Sequence, residues 1–110
     1  FTKAQTVTPV ALTDAASIAT DASLSNTFTV TLGGNRTLAN PTNLQDGVIL
    51  NWFVKQDGTG SRTLAYGSNF KWPGGSAPTL TTTANATDMI TGQYVASLGI
   101  IAAVCNKGFA

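Results

Sequence analysis

The chain has 110 residues, the size of one domain with a modest core. Only 10% of them are charged, against roughly 25% in an average soluble domain, and the net charge of +1 makes no basic patch for nucleic acid. Histidine and glutamate are absent and there is one cysteine. This removes nucleophile–histidine catalysis, ordinary zinc sites and any internal disulfide.

Taken in order, Gln5 to Leu12 reads as a first strand that Pro9 confines to an edge. Ser17 to Thr20 can form a short second strand, and Asp21 to Asn26 is a turn cluster. Residues 1–26 are expected to form an N-terminal arm with these short strands, and residues 27–110 the main module. From Thr27 to Leu32, apolar Phe28, Val30 and Leu32 alternate with threonines, the period of a half-buried strand. Then comes a phrase that the chain uses twice: Gly34-Asn35-Arg36-Thr37-Leu38-Ala39 returns as Gly60-Ser61-Arg62-Thr63-Leu64-Ala65. Each copy reads as a glycine turn followed by a short strand.

Between the copies lies Val48 to Gln56, the most apolar strand. Val48, Leu50, Trp52 and Val54 share one face; Ile49, Asn51, Phe53 and Lys55 share the other. Such a strand wants cover on both sides, from a second sheet or from another subunit. Asp57-Gly58-Thr59-Gly60 reads as a hairpin turn, which predicts antiparallel pairing of Val48–Gln56 with Arg62–Tyr66. Gly67 to Pro78 is a Gly- and Pro-rich loop, and Thr79 to Thr83 a brief extended piece. Met89–Ala96 and Leu98–Asn106 close the chain as a hairpin. Strands at this spacing, with no sustained helical period, are the signature of an all-β sandwich, jelly roll or small barrel, and the expected fold is an all-β, antiparallel β-sandwich of jelly-roll type.

Chemistry is sparse. Four of the five aspartates (Asp14, Asp21, Asp46, Asp57) stand in turn contexts, where the side chain bends or caps the backbone. Asp88, at the start of a strand, can pair with Arg36 or Arg62. Those two arginines occupy equivalent places in the repeated phrase and either brace turns or form ion pairs across a subunit boundary. Cys105, beside Ala102, Ala103 and Val104, reads as a small buried apolar residue. Tyr66, Phe70 and Trp72 either plug one end of the sandwich or present an aromatic surface on which sugar rings stack. No cofactor or metal is implied. No apolar run reaches the ~18 residues of a helical membrane span.

Three runs carry a family resemblance: Leu32-Gly-Gly-Asn-Arg-Thr-Leu-Ala-Asn-Pro-Thr-Asn43, Gln56-Asp-Gly-Thr-Gly-Ser-Arg-Thr-Leu-Ala-Tyr-Gly67 and Phe70-Lys-Trp-Pro-Gly-Gly-Ser-Ala-Pro-Thr-Leu80. From about Val10 onward the chain resembles a β-module of tailed-bacteriophage virion proteins, found in capsid decoration proteins, head fibres and tail fibres. The resemblance implies a non-enzymatic virion structural protein that forms homotrimers. The expected role is a capsid decoration (cement or head-fibre) protein bound to the major capsid protein on the capsid surface. The alternative is a tail-fibre or receptor-binding module that attaches to host-surface glycan. Arg36, Arg62, Trp52 and Phe53 are the expected intersubunit or partner contacts. Tyr66, Phe70 and Trp72 are the expected surface aromatic loop.

Overall fold

In the computed structural model, which describes residues 8–109, nine strands form a six-stranded and a three-stranded sheet around one core. In chain order they are β1 (Val10–Ala11), β2 (Ser17–Ile18), β3 (Thr27–Leu32), β4 (Arg36–Leu38), β5 (Ile49–Gln56), β6 (Leu64–Tyr66), β7 (Phe70–Lys71), β8 (Thr87–Val95) and β9 (Ile100–Phe109). A single 3-10 turn, Pro73–Gly75, is the only helical element among the described residues. Gln5 to Val7 of the first expected strand lie outside them.

The connectivity corrects the antiparallel expectation. The first six strands visit the two sheets alternately, so that β1, β3 and β5 lie side by side in one sheet and β2, β4 and β6 in the other. All four of the resulting pairings are parallel. Parallel neighbours cannot be joined by a tight hairpin and need a long crossover. Here each crossover is a strand of the opposite sheet, which makes the first two-thirds of the chain a short two-sheet solenoid of three coils. The hairpin β8–β9 then docks antiparallel on β5, and β7 runs parallel to the far edge of β9.

The doubled phrase is the trace of this coiling. Its two strands, β4 and β6, are neighbours of each other, opposite β5 rather than beside it. Arg36 lies against Leu64 and Leu38 against Tyr66. The pairing has therefore slipped two residues from the sequence repeat, which keeps every side chain on its proper face. Asp57 does not turn a hairpin. Its Oδ1 accepts the backbone N–H of Thr59 and Gly60 at 3.1 Å each, and the chain leaves for the second sheet. Gly60 sits at φ +74°, and a Cβ there would lie 2.6 Å from the Thr82 carbonyl oxygen, so glycine is required.

The inward faces follow the alternation read from the sequence. Phe28, Val30 and Leu32 of β3 and Leu50, Trp52 and Val54 of β5 are buried against Ile18 and Leu38 of the smaller sheet. Trp52 is fully enclosed, and its indole N–H donates to Thr20 Oγ1 at 3.1 Å, so the large ring buries no unpaired donor. Gln56, also buried, ties the two sheets to a segment without regular structure. Its Nε2 donates to the carbonyls of Arg62 and Thr81, and its Oε1 accepts Arg62 N–H, each at 2.9 Å. Asp88 pairs with neither arginine. It is buried, and its carboxylate accepts the backbone N–H of Thr81 at 2.7 Å and of Gly108 at 2.8 Å. Cys105 is only half-buried, because it stands where β9 runs past the edge of the core.

Candidate functional site

The outward residues of the six-stranded sheet form the floor of a groove. Parallel pairing of β3 with β5 sets Thr29 beside Phe53 and Thr31 beside Lys55. Antiparallel pairing of β5 with β8 sets Thr87 on the other side of Lys55. Ala11, Leu12 and Asp14 rise as a wall, and the space enclosed is about 480 Å³. That is a volume suited to a small ligand, lined by one aromatic ring, several hydroxyls and a few charges. The wall is held in place: Leu12 N–H donates to the Thr29 carbonyl at 2.7 Å.

Its outer post is an ion pair. Asp14 accepts Arg36 Nε at 2.8 Å and Nη2 at 3.2 Å, and also the Gly33 backbone N–H at 3.0 Å. The Arg36 hydrogen bond, aided by Gly33, holds the Asp14 carboxyl below the usual carboxylate range. Arg62 makes the equivalent bidentate contact with Asp57, at 2.9 and 3.3 Å, and this draws the Asp57 pKa down from 3.8 to about 2. Both arginines of the repeat therefore brace turns within their own chain.

The expected aromatic loop is divided. Phe70 is buried and packs edge-on against Trp52, with ring centroids 5.3 Å apart. Trp72 is half-buried, lying parallel to Phe70 at 6.3 Å and edge-on to Tyr66 at 4.7 Å. The three rings plug the open side of the sandwich beyond β7, and of the three only Trp72 reaches a second groove of about 340 Å³ against β9, together with Lys71 and Pro73. The Tyr66 hydroxyl is buried without a partner among the described residues, and burial pushes its pKa up. Of Trp52 and Phe53, only Phe53 faces outward.

A family model described as "Putative phage tail fibre C-terminal domain" matches residues 7–95. The chain belongs to this family. No curated protein and no solved structure matches it. The match runs from the first coil through β8, so every residue of the groove lies inside it. Membership places this tail-fibre domain among phage structural proteins and implies a virion-associated location.

In this tail-fibre domain the described residues hold no cluster of three or more metal-ligating side chains, and no helix long and apolar enough to cross a membrane. Sequence reasoning found Phe53 from strand parity. The same parity sets Lys55 on its face; Thr31 and Thr87 were missed as companions, because only the register across three strands brings them together. Asp14 reads in sequence as a turn residue; in the fold it stands just before the bend at 15–16, its carboxylate is spent on Gly33 and Arg36, and its place on the groove wall follows from the solenoid.

Proposed function

We propose that this tail-fibre domain is a non-catalytic module at the host-contacting part of the fibre, and that it attaches to glycan on the host surface. The observation that carries the reading is the groove over Phe53: an aromatic platform ringed by threonine hydroxyls and one lysine is what a sugar ring with its hydroxyls asks for. The family match favours the tail fibre over the capsid-decoration reading, which nothing in the match supports.

We further propose a homotrimer. Beyond the groove, the same outward face of the six-stranded sheet carries Ile49 and Val104, about half exposed at 50% and 48%, and this is apolar surface that a neighbouring subunit can cover. Three grooves on one rigid assembly turn weak single contacts into avidity. The test is competition: purified domain, added before phage, is expected to reduce adsorption to host cells in a dose-dependent way and to leave stripped capsids unbound. Undiminished adsorption at saturating domain refutes the host-contact reading. Light scattering that returns a monomer refutes the trimer.

A further inference from the structure

We infer that the groove over Phe53 selects an acidic sugar, a hexuronic acid residue, with Lys55 as the specificity-determining contact. The inference rests on the host-contact reading and adds to it the charge of the ligand.

Charge bookkeeping across the groove decides the sign. Asp14 is the only carboxylate on its lining, and it is neutralised by the bidentate Arg36 contact and further satisfied by Gly33 N–H. Lys55 is the only cation on the lining, it is exposed, and its ammonium makes no ion pair among the described residues. The unmatched charge in the groove is therefore positive, and it calls for an anion.

Geometry decides the kind of anion. Lys55 sits in a cross-strand row between Thr31 and Thr87, so a hydroxyl-bearing side chain stands one strand spacing, ~5 Å, to either side of the base of the lysine stem. A carboxylate laid over this row meets a charge-assisted N–H donor and two O–H donors, which is more than an isolated surface lysine offers. Phe53 is two residues along the same face of β5, ~7 Å away, and only partly buried. A hexuronic acid carries an apolar pyranose face and, on the adjoining carbon, a carboxylate. The span from ring to carboxylate is bridged by the flexible lysine stem. A bare inorganic anion would use the lysine row and leave Phe53 idle; a neutral hexose would use Phe53 and leave Lys55 uncompensated.

The test uses the full chain and titration calorimetry with defined probes. These are tetrasaccharides of glucuronic, galacturonic and mannuronic acid, each beside its carboxyl-reduced neutral counterpart. At least one acidic probe is expected to bind five- to tenfold more tightly than its neutral partner, the range of a charge-assisted contact at an exposed site. In Lys55→Gln the gap between the two should close through loss of affinity for the acidic probe, with thermal stability unchanged, since Lys55 makes no ion pair among the described residues. Equal affinity for acidic and neutral probes overturns the inference, as does an undiminished gap in Lys55→Gln or no binding of any acidic probe at millimolar concentration. If the purified domain still blocks adsorption in any of these cases, the host-contact reading stands and only the acidic-sugar assignment falls.

Discussion

Replacing Gln56 by Met keeps nearly the same side-chain length and removes three hydrogen bonds at once. In the native fold the amide of Gln56 satisfies the Arg62 and Thr81 carbonyls and the Arg62 N–H, all at 2.9 Å. Gln56 itself is 2% exposed, so water cannot take over its role without opening the junction of β5 with the 79–83 segment. Each lost bond of this kind costs ~1 kcal/mol net, more when the orphaned group stays buried, so the sum is about 3 kcal/mol. Against a typical 5–15 kcal/mol for a domain, that is a large share of the total. For a chain of this size it corresponds to a drop in Tm of roughly 12–24 °C. Urea unfolding followed by tryptophan fluorescence, with Trp52 as the core reporter, measures it directly. Gln56→Glu should be worse than Met at neutral pH, because a carboxylate sets acceptors against two carbonyl oxygens. It should recover in part on acidification, as one oxygen becomes a donor. A loss below about 1 kcal/mol in Gln56→Met, or a Glu variant that is insensitive to pH, would falsify the claim that this amide is what holds the junction.

Other expectations follow from single contacts. The Asp57 pKa is depressed from 3.8 to about 2 by Arg62, so its contribution to stability is fully present above pH ~4 and lost as pH falls through 2. Stability measured across that window should fall less steeply in Asp57→Asn than in the native chain, and identical slopes would rule the pair out as a source of acid sensitivity. Tyr66→Phe removes a buried hydroxyl with no partner among the described residues, and should leave stability unchanged or raise it by up to ~1 kcal/mol in a thermal melt; a clear loss would mean that the hydroxyl is satisfied after all. A Cβ at Gly67 would lie 2.6 Å from the Asn40 backbone nitrogen, so Gly67→Ala must displace the chain where β6 leaves for β7. A loss of about 1–3 kcal/mol is expected, as for other overpacked positions, and a neutral substitution would contradict the close approach.

The faces of β3 and β5 were legible because alternation of side chains is a property of a single strand. Thr27–Leu32 needed no partner to be read, nor did the burial of Leu50, Trp52 and Val54. The closing hairpin was legible for a similar reason, since Met89 and Ile101 belong to strands separated by only four residues, 96–99. Strand direction was not legible, because the Leu50-Trp52-Val54 alternation looks the same beside a parallel or an antiparallel neighbour. The signal that could have supplied it was the repeat itself: a phrase returning after some 20–50 residues is a mark of coiled, solenoid-like architecture. Of the groove, Phe53 and Lys55 could be placed on one face from parity alone. Thr31 and Thr87 could not join them until the register of two different pairings was known. β7 was hidden in a Gly/Pro-rich stretch whose two strand residues make no pattern of their own.

The alternation of strands between two sheets has a kinetic side. In a Greek-key sandwich, strands far apart in the chain must find each other before the sheet can close. Here the parallel partners are 18 residues apart at Val10 and Phe28 and 24 apart at Thr27 and Asn51, and the widest pairing, Ile49 with Gln93, spans 44. Loop closure grows only logarithmically with length, so each such contact carries a modest entropic cost, and the successive coils can add one upon another. Mean contact separation governs the folding rates of small domains more strongly than sheet content does. The parallel pairings of this chain are nonetheless all non-local, 18 residues or more apart, so the winding leaves it among the slow-folding β domains while limiting how far each new strand must search.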